Sequence, residues 1–351
     1  MIKVYLLSFF CGLALVILLT PGTIFLSKQL NVYDWPARRK VHSRPIPRWG
    51  GVGIFLGCFL TIMIAYSLFP QFRELLSYQL EQPRSRLVGG LSLHTQLIGI
   101  FIGSLFVLLL GMIDDKKPVR ALTKLLVQII AAYCALDFGV RIFGLNLPFG
   151  LKIVFTKNEF LMFLSQVVTV LWLIGFMNTI NLADGLDGLA CGIVSIASGT
   201  FFIVSLLLKP DKLWLIKQLQ LSGLLSIILC GCCLGFLFYN FNPAKIFLGD
   251  CGALFLGFLL ASISIIGTLK TPLVISLFVP IIIVGLPILD VFLSIFRRLR
   301  RGMDVMEPDK EHIHHRLLKW GWSHREVVLL MYIVTMVLSI ISISIVSFRL
   351  L

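Results

Sequence analysis

The chain has 351 residues, of which 58% are hydrophobic and only 14% charged, with a formal net charge of +14. A water-soluble domain carries about 25% charged residues, so an ordinary soluble globular protein is excluded. A mean hydropathy of +0.96 points instead to a chain whose main solvent is lipid.

Nearly uncharged runs recur along the chain, each long enough to cross ~30 Å of hydrocarbon. Ten are read: 4–26, 51–69, 97–113, 121–136, 160–177, 189–208, 221–240, 253–269, 272–296 and 326–348, the ninth interrupted by proline. Little is left for a soluble domain. The expected fold is therefore all-α, a polytopic helical bundle forming one membrane-embedded domain over 1–351. Only Lys3 precedes the first run and no small-residue cleavage site follows, so that run is expected to remain as a membrane helix.

Of the eight cysteines, all but one lie within or beside apolar runs, where Cys acts as a small hydrophobe. No disulfide framework is implied. Cys230, Cys232 and Cys233 resemble a metal motif only until their mid-span position is noted.

Short-loop Lys and Arg set orientation. Even-numbered crossings place 27–50, 114–124, 178–190, 241–252 and 297–325 on one side, and these segments hold most of the basic residues. That side is expected to be cytoplasmic, with both termini outside. The same segments hold the clustered acids and histidines, which predicts an active face at the inner membrane surface. Its positive charge favours membrane lipids and anionic substrates; nucleic acid is not an expected partner.

Taken in chain order, the first segment runs from Asp34 to Gly51. Pro36, Pro45, Pro47 and the Gly50–Gly51 pair forbid a helix there, so Lys40, His42 and Arg48 are expected on a shaped loop. They could bind phosphate or merely anchor the chain at the surface. Asp114 and Asp115 end the third run. An acidic pair at a membrane helix end is costly to desolvate and adds to the helix's negative end, so a cation is expected nearby, with Lys124 among the candidates. The third segment holds Asn178, Asn181, Asp184 and Asp187 with no Lys or Arg among them. Such an oxygen-rich, cation-free set suits Mg²⁺ or Mn²⁺. Asp250, between Gly249 and Gly252, could complete that site. The last segment carries His312, His314, His315 and Arg316. Three histidines could suggest zinc, but with no Cys nearby and Arg316 adjoining, anion binding is the stronger reading.

Together and in this order, the segments resemble the polyprenyl-phosphate N-acetylhexosamine-1-phosphate transferases. The resemblance runs from about Asp34 to Leu317, carried chiefly by the Asn178–Ala190 motif and the His-Ile-His-His of 312–315. The histidine motif is more similar to the branch using UDP-N-acetylglucosamine than to that using UDP-muramoyl-pentapeptide. Two departures stand out: Cys251 replaces a usual Ser or Thr, and Val305-Met306 a usual Pro-Phe pair. The resemblance implies transfer of N-acetylglucosamine-1-phosphate to undecaprenyl or another polyprenyl phosphate, starting a cell-envelope glycan such as O-antigen or teichoic acid. It implies metal binding by Asn181, Asp184 and Asp250, and catalytic roles for Asp114, Asp115 and Asp187. Substrate contacts are implied for Lys40, His42, Arg48, Lys124, Asn178, Asp184, His312, His314, His315 and Arg316. A homodimer is compatible with it.

The physical chemistry agrees. Joining two anions costs Coulomb energy that a divalent ion and fixed Lys, Arg or His offset, and catalysis is then mainly positioning. The acceptor phosphate has a second pKa near ~6, so it is largely a dianion at neutral pH and direct attack is favoured. An aspartyl-phosphate route through Asp114 or Asp115 is the alternative. A secondary transporter would carry ionisable groups at mid-membrane, and apart from Glu326 at the very edge of the last run, Asp290 is the only acid within an expected run.

Overall fold

The computed structural model describes residues 1–36, 44–80, 90–146, 152–155, 158–267, 280–282, 284–285, 287–290, 293, 300 and 313–348; of 145–146, 152–153 and 313–315 it describes the backbone alone. The long helices are α1 (Ile2–Gln29), α2 (Gly50–Leu68), α4 (Leu93–Lys116), α5 (Ala121–Asp137), α6 (Glu159–Ala183), α7 (Leu189–Leu207), α8 (Leu213–Asn240), α9 (Gly249–Ile266) and α11 (His324–Phe348). Two short helices, α3 (Pro70–Leu76) and α10 (Ile313–Lys319), lie between them. The protein is an all-α, multi-pass membrane protein.

Eight of these helices are long and apolar enough to cross a bilayer. The ninth long helix, α5, has 17 residues, about 25 Å at 1.5 Å per residue, so it falls just short by length. Of the expected run at 272–296 only 280–282, 284–285, 287–290 and 293 are among the described residues. Two antiparallel hairpins were not anticipated: β1 (Tyr33–Asp34) with β2 (Ile46–Pro47), and β3 (Gly144–Asn146) with β4 (Lys152–Val154).

Helix boundaries have local causes. Ser92 and Thr95 form a reciprocal capping box at the start of α4, satisfying two orphan N–H groups. Asn158 accepts from the Leu161 N–H to begin α6. Within lipid there is no hydrophobic drive between helices, so close packing through small residues takes over. The inward stripe of α1 accordingly runs Ser8, Gly12, Val16, Thr20, Thr23, Ser27. Gly231 and Gly235 of α8 lie against the α1 carbonyls of Phe9 and Leu13, where a Cβ would collide. On the opposite face of α1, Leu6, Leu7, Phe10, Leu18 and Phe25 are exposed, as lipid contact requires.

The axis of the bundle is α9, buried from Cys251 to Ile266 and surrounded by α2, α4, α6, α7 and α8. Three corrections to the expected boundaries follow. Asp250 sits in the first turn of α9 and not in the preceding loop. Asn178 and Asn181 belong to the last turns of α6, with Asp184 as its C-terminal cap. The Gly50–Gly51 pair opens α2, so these glycines begin the helix they were expected to delay.

Candidate active site

Most of the chemistry predicted from the sequence gathers at one end of the bundle, and backbone contacts explain how. The strand β2 feeds directly into α2, and this turn is stitched to the segment before α9. The Phe247 N–H donates to the Pro47 carbonyl (2.9 Å), the Gly50 N–H to Phe247 (3.0 Å) and the Gly51 N–H to Leu248 (3.0 Å). Trp49, in left-handed conformation at φ 73°, turns its indole N–H onto the Met112 carbonyl of α4 at 3.1 Å. A Cβ on Gly51 would strike the backbone of Gly252, and one on Gly111 that of Cys251. Three helix ends thus meet backbone to backbone, which only glycine permits.

Asp115 lies at the centre of this junction. Its Oδ1 accepts the Asp250 N–H at 3.0 Å and its Oδ2 the Cys251 N–H at 3.3 Å. Arg48 approaches Oδ1 at 3.5 Å and also pairs with Asp34. Burial works against the Arg48 guanidinium, but the carboxylates of Asp34, Asp115 and Asp250 outweigh it and hold its pKa above the ordinary arginine value.

Asp114 points elsewhere. Its Oδ1 accepts the Val119 N–H at 2.7 Å, and its Oδ2 meets the Lys124 ammonium at 2.5 Å. The same ammonium lies 2.9 Å from Asp250 Oδ2. The carboxyl groups of Asp114 and Asp250 thus lie side by side on one ammonium, with the Asn181 carboxamide close to Asp250. Asn178 is held by Gln128 of α5 at 2.9 Å. Asp184, partly open, is pushed well above the usual carboxylate range by burial, with the Asp250 and Asp115 charges adding to it.

Asp187 is engaged on the other side, by the Asn242 carboxamide (3.0 Å) and the Ala244 N–H (3.1 Å). It braces the turn between α8 and α9. That turn is further fixed by Asn240, which accepts the Gly188 N–H and donates to the Ile246 carbonyl. Arg325 of α11 donates to the Asn242 carbonyl at 3.1 and 3.2 Å, and the Tyr332 hydroxyl donates to the Gly188 carbonyl at 2.6 Å.

Of the predicted site residues, Arg48, Asp114, Asp115, Lys124, Asn178, Asn181, Asp184 and Asp250 converge. Lys40, His42 and His312 lie outside the described residues, and His314 and His315 are placed on α10 by their backbone alone. Arg316 is exposed and stacks over the Trp320 ring at 5.6 Å. Sequence reasoning missed Gln128, Asn240, Asn242 and Arg325. A glutamine inside an otherwise apolar run was the available signal for Gln128.

Among the described residues no three His, Cys, Asp or Glu side chains form a ready metal cage. The donors that do converge, Asp114, Asp250 and Asn181, offer oxygen, and one cationic position between the two carboxylates is already taken by Lys124. This set fits Mg²⁺, which is commonly held by one or two carboxylates plus substrate phosphates.

Residues 97–268 match the model of glycosyl transferase family 4. The chain is 34% identical to the Bacillus subtilis protein named "Probable undecaprenyl-phosphate N-acetylglucosaminyl 1-phosphate transferase", over 95% of this chain and 82% of that one. It is 34% identical to the decaprenyl-phosphate N-acetylglucosaminephosphotransferase of Mycobacterium leprae, over 88% and 75%. It is also 33% identical to the phospho-N-acetylmuramoyl-pentapeptide-transferase of Staphylococcus carnosus, over 66% and 71%. The site, the bundle and these likenesses agree: the chain belongs to glycosyl transferase family 4, the polyprenyl-phosphate N-acetylhexosamine-1-phosphate transferases.

Proposed function

We propose that the protein transfers N-acetylglucosamine-1-phosphate from UDP-N-acetylglucosamine to undecaprenyl or another polyprenyl phosphate, with Mg²⁺, at the cytoplasmic membrane surface. The observation that carries this reading is the Asp114–Lys124–Asp250 arrangement at the end of a membrane bundle. The N-acetylglucosamine branch is supported by the extent of likeness, 95% of this chain against 66% for the pentapeptide enzyme.

Charge explains the need for an ion. Within this basic face, the carboxylates of Asp114 and Asp250 share the single ammonium of Lys124. A diphosphate brought directly against that acidic pair would be repelled. When bound, Mg²⁺ would supply the missing positive charge at the donor phosphates. The protein's own work is to hold the two anions in line. An oxygen of the lipid phosphate attacks the sugar-bearing phosphorus, the bond to the bridging oxygen breaks, and UMP leaves as the new diphosphate forms. Lys124 lies where it can leave the carboxylates for a phosphate oxygen. The brace made by Asp187 and Asn242 shapes the adjoining wall.

Purified protein supplied with UDP-N-acetylglucosamine, polyprenyl phosphate and Mg²⁺ should release one UMP per lipid-linked sugar. EDTA should stop the reaction, and Mg²⁺ or Mn²⁺ should restore it. Failure to release UMP from this donor, or full turnover in EDTA, refutes the reading.

A further inference from the structure

The geometry points to unequal roles for the two adjacent aspartates: Asp115 is a positioning residue that caps α9 from another helix, and Asp114 alone of the pair reaches the reacting groups. The inference deepens the proposed function and rests on it for its kinetic arm.

The first turn of any helix leaves N–H groups without intrahelical partners, and a side-chain oxygen normally supplied by the N-cap residue satisfies them. In α9 that position is Leu248, which has no such oxygen. The cap comes instead from α4. Both carboxylate oxygens of Asp115 are committed to consecutive N–H groups, those of Asp250 and Cys251. Its negative charge also suits the positive end of the α9 dipole.

Two further observations show that the site is built for this contact. Gly249 has φ +74°, and a Cβ there would collide with the Asp115 carboxylate. Gly111, one turn before Asp115, lets α4 lie against Cys251 without a side chain between them. The Asp115 side chain is 0% exposed, against 10% for Asp114 and 29% for Asp250. A carboxylate with both oxygens occupied and no open surface cannot attack phosphorus or take a proton from a lipid phosphate. What it can do is fix the first turn of α9, and so the direction in which Asp250 points.

The test compares Asp115→Asn, Asp115→Ala, Gly249→Ala and Asp114→Asn in the full-length protein in detergent. Two readouts are used: steady-state kinetics, and backbone hydrogen–deuterium exchange over 249–252. Asp115→Asn keeps an acceptor oxygen and should retain kcat within about tenfold of the parent, the larger effect falling on KM for the nucleotide sugar. Asp115→Ala and Gly249→Ala should each lower kcat at least a hundredfold and speed exchange at 249–252, with cooperative thermal unfolding retained and exchange in the other long helices unchanged. Asp114→Asn should abolish turnover while leaving exchange at 249–252 unchanged. The proposal is overturned if Asp115→Asn is as inactive as Asp114→Asn with normal exchange, because the carboxylate would then be chemical. It is overturned equally if Asp115→Ala leaves exchange at 249–252 untouched. The exchange arm needs no substrate, so it decides the cap even if the proposed reaction fails. Should Asp115→Ala not fold, Asp115→Asn and Gly249→Ala still decide the matter.

Discussion

Asn178 on α6 and Gln128 on α5 grip each other through both halves of their carboxamides: Asn178 Nδ2 donates to Gln128 Oε1 at 2.9 Å, and Gln128 Nε2 donates back at 3.4 Å. Asn178 also donates to the Ile174 carbonyl at 2.9 Å. Its amide is therefore held in one orientation by a residue on a neighbouring helix. Gln128→Ala removes that partner; Asn178 is itself exposed, so water can take over the freed carboxamide and the loss is that of one net hydrogen bond, ~1 kcal/mol. The expected outcome is a KM for the nucleotide sugar raised by about five-fold with kcat little changed. Equal KM in variant and parent would detach Asn178 from substrate binding.

Lys124 neutralises two carboxylates at once. Removing one partner of a buried charge pair costs ~3–5 kcal/mol because the other charge is left uncompensated, and with about a quarter of its side chain exposed Lys124 belongs below that range. Lys124→Ala should lower kcat/KM at least a hundredfold. Lys124→Arg should recover only part, since a planar fork cannot take the place of a compact ammonium between two acids. The measurement is initial-rate UMP release at fixed Mg²⁺. An arginine variant with full activity contradicts the assignment.

Asp184 gives a pH-dependent prediction. Its carboxyl is held well above the ordinary range, first by burial and then by Asp250 and Asp115. The folded state therefore binds its proton more tightly than the unfolded chain does. The resulting penalty is absent below the unfolded pKa of about 3.9 and grows as pH rises, reaching its full size above the folded pKa. Asp184→Asn should accordingly raise the melting temperature of the substrate-free protein at neutral pH, by about 2–4 °C for each kcal/mol relieved. The gain should shrink as pH falls towards 4. A thermal-shift series at several pH values checks it, and a gain that grows on acidification has the wrong sign.

The Asp187 brace predicts a different kinetic signature from the acids around Lys124. With Asn242 and Ala244 released, the turn before α9 loosens without loss of a charge beside Lys124. Asp187→Asn should raise KM for the nucleotide sugar about tenfold and retain measurable kcat, whereas Asp250→Asn should be inactive. Complete loss of kcat in Asp187→Asn at saturating donor would instead place Asp187 among the groups that touch substrate.

Much of this architecture was legible in the sequence, because lipid imposes a strong pattern. The run read at 189–208 is the helix Leu189–Leu207, and that at 121–136 is Ala121–Asp137. Errors arose where polarity and glycine were taken for loop. The expected start of α8 at 221 is in fact Leu213, because Lys217, Gln218 and Gln220 interrupt the apolar run while Gln218 is buried in the bundle. Likewise Gly249 and Gly252 fall in the connecting segment 241–252 by the sequence reading, whereas Gly249 supplies the left-handed residue at the helix entrance and Gly252 the space for α2. The site's residue types were legible, since acids and carboxamides at membrane helix ends have few structural uses. Their division of labour was not. Nothing in the adjacency of Asp114 and Asp115 tells that one faces Lys124 and the other a helix end, because that depends on which helix lies across from each.

The meeting of Gly51, Gly111 and Gly252 changes what counts as a mild substitution in this protein. Alanine is the usual neutral replacement, yet at these positions one methyl group would wedge apart the helix ends that aim Asp115 and Asp250. No charged or polar side chain would be removed, and activity should still fail. A genetic screen for loss of function would score these three among the aspartates, and a search confined to ionisable residues would pass over them. The site is specified as much by the atoms its sequence withholds as by those it provides.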